Sequence, residues 1–185
     1  MDEHMDIARA AIGDEEAFRQ LVSQYYPLVY RLAYRQLNDS QDAEEVAQDT
    51  FVKVHKGLAD FRGQASLKTW IFSIAWRLSL NKRRDRSRSS WRRLGLHRGE
   101  DKIDAGQTAQ TPESLWLSGE TNRAVRQLLD ELPAGLREVM VLSGFEELSY
   151  EEIARILQIP AGTVGSRIYS ARKALAKKLK ERELF

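Results

Sequence analysis

The chain has 185 residues, 42% of them hydrophobic, enough for one large or two small packed domains. It contains no cysteine, which excludes disulfides, thiol nucleophiles, iron–sulfur clusters and cysteine zinc sites and suits a reducing cytoplasm. The net charge is only +2 but is strongly segregated: −6 over residues 1–60, +10 over 61–98, −7 over 99–160 and +5 over 161–185, so two basic blocks alternate with two acidic ones and argue for two surfaces that face polyanions.

No stretch approaches the roughly 20 apolar residues of a membrane span. The N-terminus, MDEHMDIARAAIGDEE, is acidic and lacks the apolar centre of a secretory signal. A cytoplasmic protein is expected. His4, His55 and His97 stand far apart, so neither a metal nor another cofactor is expected.

The first apolar period runs through Ala17, Phe18, Leu21, Val22, Tyr25, Leu28, Val29, Leu32 and Ala33, and its spacing predicts a helix. Asp14 stands where a cap belongs, and Glu15 and Glu16 suit the positive end of the helix dipole. Pro27 predicts a kink or a split. Asp39 or Ser40 caps a second helix with the stripe Ala43, Val46, Ala47, Thr50, Phe51, Val54 and Leu58, and Gly57 lies near its end. Its other face carries Asp42, Glu45, Gln48, Asp49 and Lys53, which on pattern alone is a solvated face.

After the connector Phe61–Ser66, the residues Leu67, Trp70, Ile71, Ile74, Ala75 and Leu78 mark a third helix, which runs into NKRRDRSRSSWRRLGLHR. Trp70, Phe72, Trp76 and Trp91 lie among Lys68, Arg77, Lys82, Arg83 and Arg84. Rings among cations are the chemistry for holding a backbone while stacking on unpaired bases. A core position for Trp70 and a solvated basic tail fit the same residues.

From Gly99 to about Leu115 the chain has no aromatic residue and little periodicity, and reads as a flexible acidic linker. A helix near Leu117–Leu132 follows, then Pro133 in the first turn of a helix that ends near Ser143. Ser149-Tyr150-Glu151-Glu152 is a capping box. Ile153, Ala154, Ile156 and Leu157 form the apolar side of the helix it starts. Gln158-Ile159-Pro160 turns the chain, and Val164, Ile168, Ala171 and Leu175 form the next stripe. Ser166, Tyr169, Ser170, Lys173 and Lys177 lie on the other side, flanked by Arg167 and Arg172. Two short helices, a tight turn, small polar residues early and basic residues late describe a helix-turn-helix that reads duplex DNA, with an ordinary helical hairpin as the alternative. There is no glycine-rich phosphate loop, metal cluster or nucleophile–base pair, so no enzyme and no small-molecule substrate is expected.

Residues 42–84, DAEEVAQDTFVKVHKGLADFRGQASLKTWIFSIAWRLSLNKRR, resemble the second conserved region of bacterial sigma factors of the extracytoplasmic-function class, and residues 132–175, LPAGLREVMVLSGFEELSYEEIARILQIPAGTVGSRIYSARKAL, resemble their fourth region. The resemblance implies an all-α protein with a helical bundle over 1–95, a linker over 96–115 and a helix-turn-helix domain over 116–185. It implies that Asp42, Glu45, Gln48, Asp49 and Val52 dock on core RNA polymerase. Phe61, Arg62, Lys68, Trp76, Arg77, Asn81, Lys82, Arg83 and Arg84 then meet the opened minus-ten element of promoter DNA. Thr163, Ser166, Arg167, Tyr169, Ser170, Arg172 and Lys173 meet the minus-thirty-five duplex. Control by an anti-sigma protein, often membrane-anchored, is part of the same expectation. The chain departs from the family pattern at Gly165, Ser170 and Ser143, where basic residues are common, and at Arg77, where a smaller residue is common. A stand-alone regulator with a ligand- or partner-binding front domain is the second reading; it has no use for an acidic docking helix.

Overall fold

The computed structural model describes residues 3–94, 127–144 and 148–181. The chain divides into two compact units, residues 1–104 and 105–185. Among the described residues every regular element is helical. The predicted linker, the start of the helix predicted from Leu117 and the side chain of Trp91 lie outside the described residues.

The first unit holds α1 (Glu3–Ala11), α2 (Glu15–Leu37), α3 (Ser40–Gly57), a 3₁₀ turn (Leu58–Asp60) and α4 (Leu67–Leu94). The carboxylate of Asp14 starts α2 by accepting the N–H groups of Glu16 and Ala17 at 3.0 and 3.1 Å. The bond from Ala17, then the guanidinium of Arg9, holds this carboxyl below its ordinary 3.8. Its contribution to stability is therefore present above that value and is lost as pH falls through the lower folded-state value. Asp39 starts α3 by accepting from the N–H of Asp42 at 2.9 Å.

Of the kink or split expected at Pro27, the split does not occur: α2 runs unbroken through it. Pro27 and Ser23, whose carbonyl it leaves unbonded, are both exposed, so water can satisfy that carbonyl. Gly57 does end α3, as expected, and passes the chain into the 3₁₀ turn through right-handed backbone. A Cβ on Gly57 would stand 3.3 Å from the ring of Trp70; the glycine lets that ring approach.

α2, α3 and α4 pack on one another, and α1 lies on α2 and the 3₁₀ turn. The core contains Leu21, Val29 and Leu32 from α2, Val46, Phe51 and Val54 from α3, and Leu67, Ile71, Phe72, Ala75 and Trp76 from α4. α4 is buried nearly all round in its first half, so polar residues are caught inside with it. Ser79 and Thr50 are wholly buried, and each hydroxyl donates to the carbonyl one turn back, at 2.9 and 2.7 Å. Trp76 is 2% exposed. This corrects its assignment to DNA: its ring is core, because it lies on the side of α4 that packs on α2 and α3.

The second unit holds helical residues 127–130, α5 (Ala134–Ser143), α6 (Tyr150–Leu157) and α7 (Ala161–Glu181). Pro133 and Pro160 sit one residue before the helices they precede. The capping box of α6 is complete: Glu152 N–H donates to Ser149 Oγ at 3.2 Å, and Ser149 N–H donates to Glu152 Oε2 at 2.9 Å. Gln158 ends α6 in left-handed backbone, φ 56°. Val164, Ile168 and Ala171 of α7 are buried with Ile153 and Ile156 of α6 and Val139 and Leu142 of α5.

Replacing Trp76 by alanine is expected to destabilise the first unit by about 3–5 kcal/mol, measured by urea unfolding, whereas Trp76→Phe loses less. A Trp76→Ala variant that keeps full stability but fails on DNA would restore the surface role.

Candidate nucleic-acid interface

The connector and α4 carry the residues predicted to meet opened DNA. Gly63 adopts φ +66° and turns the chain before α4. Ser66 caps α4, its Oγ accepting the N–H of Thr69 at 3.1 Å. Phe61 and Trp70 form a half-buried ring pair, centroids 5.0 Å apart, beside the exposed Arg62. Among the described side chains, the rings open to solvent in this region are therefore Phe61 and Trp70, since Phe72 and Trp76 are buried. Lys68 Nζ lies 5.9 Å from the centroid of Phe72, so Lys68 covers that ring.

The cations of α4 divide by helical face. Arg77, Asn81 and Arg84 follow one another at three- and four-residue spacing on an exposed strip, with Arg83 half-buried beside it. Arg77 Nε donates to the carbonyl of Ser73 at 3.1 Å. Lys82 and Arg86 point the other way, onto α3. Lys82 Nζ meets Glu45 at 2.5 Å and Asp42 at 3.4 Å, and Arg86 meets Asp39 at 3.0 Å and Asp42 at 2.9 Å. The hydrogen bond that Lys82 donates to Glu45, then the charge of Asp42, raises its amine above the ordinary 10.5.

This seam joins residues that the sequence assigned to different partners, two acids for protein and one lysine for DNA. Arg86 was missed, although it stands four residues beyond Lys82 and so shares its face. Glu44, also missed, accepts from Tyr26 at 3.0 Å and from Gln48 at 3.4 Å. Burial first, then this carboxylate, pushes the Tyr26 hydroxyl up to about 12. Gln48, Asp49 and Val52 are exposed, with Val52 at 52%. They form an acidic and apolar strip on the outer side of α3.

In the second unit α7 presents Ser166, Tyr169, Ser170, Arg172 and Lys173 outward, with Thr163 half-buried at its start. Arg167 is laid elsewhere: its guanidinium is 3.2 Å from where a Cβ on Gly135 would stand, so it lies over the first turn of α5. Ser166 Oγ donates to the carbonyl of Thr163 at 3.1 Å. Lys178 pairs with Glu131 at 2.6 Å, which ties the far end of α7 to the turn before α5.

Sigma-70 region 2 matches residues 21–89, and Sigma-70, region 4 matches residues 122–175. The RNA polymerase sigma-H factor of Pseudomonas aeruginosa is 35% identical over 179 residues, covering 94% of this chain and 91% of the relative. The ECF RNA polymerase sigma-E factor of Haemophilus influenzae is 34% identical over 176 residues, covering 94% and 93%. This chain belongs to the sigma-70 family, in its extracytoplasmic-function class. The solved structure of the sigma factor RpoE with the anti-sigma factor NepR from Bartonella quintana is similar as well, at TM-score 0.66 and 26% identity, over 88% of this chain and 96% of that one.

As a sigma factor the chain is a transcription initiation factor, and among the described residues no helix is long and apolar enough to cross a membrane. In this sigma factor Lys82 holds α4 to α3. Lys82→Met is expected to lower unfolding free energy at neutral pH by under about 1 kcal/mol. Because the folded-state pKa is raised, that stabilisation is present below 10.5 and is lost as pH rises through the raised value. The difference between variant and wild type in urea unfolding should therefore close at high pH; a constant difference would place the effect in packing.

Proposed function

We propose that this chain binds core RNA polymerase, brings it to promoters bearing a particular minus-ten and minus-thirty-five element, and helps open the DNA between them and the start site. The observation that carries this reading is the ordered pair of sigma regions, each with its own basic surface, one on α4 and one on α7. The domains are a region 2 bundle over 1–95 and a region 4 domain over 116–185, with a linker over 96–115. The chemistry of RNA synthesis belongs to the core enzyme, so the chain itself is not an enzyme. It acts in the cytoplasm, where the polymerase works.

Docking falls to the outer strip of α3, namely Gln48, Asp49 and Val52, helped by Asp42 and Glu45 at its edge. The minus-ten strand meets Phe61, Arg62 and Lys68 at the connector, then Arg77, Asn81, Arg83 and Arg84 along α4, with Lys82 holding the helix from behind. An unstacked base costs a few kcal/mol, and stacking on an aromatic ring returns about 1–3. Phe61 and Trp70 take the stacking role, since Phe72 and Trp76, read with Trp70 as candidates, are buried. Thr163, Ser166, Tyr169 and Ser170 face the minus-thirty-five groove, and Arg172 and Lys173 meet phosphates, with Arg167 at the side.

The Bartonella relative is seen with an anti-sigma factor. An anti-sigma partner here, gripping exposed apolar side chains such as Val52, accounts for apolar surface on an otherwise polar face.

Run-off transcription with purified core polymerase on a pool of genomic promoter fragments tests the reading. Discrete starts that need this chain are expected. Specific duplex binding by the chain alone, with no new starts, would turn the assignment to a stand-alone regulator. Asp49→Lys and Val52→Asp are each expected to weaken core binding at least about tenfold, or 1.4 kcal/mol, in a competition assay, without changing thermal unfolding.

A further inference from the structure

The first three turns of α7 face DNA in the reading above, and their chemistry narrows what they can read. Residues 161–171 contain one cation, Arg167, and its guanidinium lies against Gly135 of α5. Gly165 and Ser170, on the same turns, bring no donor fork. The next cations, Arg172 and Lys173, follow a full three turns from the start of the helix. The commonest specific base contact, a bidentate Arg or Lys on guanine O6 and N7, therefore has no donor in this part of the helix.

What stands there is a ring and hydroxyls. Tyr169 is 70% exposed, one turn beyond Gly165. Tyr150, 45% exposed, enters from the start of α6, its ring 3.6 Å from where a Cβ on Gly165 would stand. The two tyrosines thus border a glycine-floored, uncharged strip. Ser166 spends its hydroxyl proton on the carbonyl of Thr163, so it faces outward as an acceptor, suited to the amino group of adenine or cytosine.

We infer that this sigma factor reads its upstream element through thymine methyl groups packed on Tyr169 and amino groups accepted by Ser166, with no guanine contact from the first three turns of α7. The inference rests on the sigma reading and specifies the base chemistry of one of its two DNA contacts. Its consequence is an upstream element with at least one essential thymine and no guanine read by the first three turns of α7.

Holoenzyme assembled from the full chain and core polymerase is used to select duplexes randomised upstream of a promoter that it transcribes. The selected duplex is then rebuilt with deoxyuridine for thymidine, one position at a time. At one or more thymines, loss of the methyl is expected to weaken binding about fourfold, the worth of one buried methyl. That sensitivity should vanish in Tyr169→Ala and persist in Tyr169→Phe, which keeps the ring. Gly165→Arg is expected to add a preference for guanine. An invariant guanine at which 7-deazaguanine abolishes binding by wild-type holoenzyme would overturn the inference, as would indifference to deoxyuridine at every position. Absence of transcription from any fragment of the genomic pool would instead bring down the sigma reading, and this inference with it.

Discussion

The burial of α4 between α2 and α3 is the constraint on which the first unit depends. Ile71, Phe72, Ala75 and Trp76 are all at most 2% exposed, so this helix is the centre of the bundle as well as the carrier of its basic surface. Its direction is set by apolar packing on two sides, which resists deformation because side chains at native density have nowhere to move. A basic strip on such a helix is held in place before any nucleic acid arrives, and preorganisation of this kind reduces what binding must spend on ordering. The arginines themselves stay solvated, where a charged group costs nothing to keep.

The seam between α3 and α4 shows how opposite surfaces are kept on one small bundle. Asp39, Asp42 and Glu45 meet Lys82 and Arg86 across the helix pair. Isolated exposed pairs contribute little, but five charges in one network fix the relative register of two helices and neutralise the border between an acidic face and a basic one. Asp49, farther along α3, and the arginines on the far strip of α4 are left for partners. Electrostatic complementarity of this sort acts on specificity and encounter rate more than on affinity.

The second unit solves a similar problem with fewer residues. A capping box, a left-handed Gln158 and a buried stripe of Val164, Ile168 and Ala171 set α6 against α7. Each of these is local, so each was legible in the sequence: Ser149 with Glu152, the Pro160 turn, and the four-residue spacing of the stripe. The same holds for Asp14 and Asp39, whose capping bonds reach only two or three residues along the chain. What local pattern could not say is where Arg167 points. It lies over Gly135 because α5 passes beside it, and that neighbour is thirty-two residues away in sequence.

The sequence by itself determined the helical class, the caps, the order of two DNA-facing units and the family, because periodicity, capping and motif order are properties of neighbours along the chain. Only the tertiary structure decided which side chains of those helices remain available. It withdrew Trp76 into the core, left Phe61 and Trp70 at the surface, passed α2 unbroken through Pro27, and gave Gly57 to the approach of a tryptophan ring. It also turned Lys82 from DNA toward α3 and set Arg86 beside it. The physical reason is common to all of these. Helical spacing tells which residues share a face, but a face becomes core or surface only when other helices cover it, and which helices do so is settled by packing over long sequence distances.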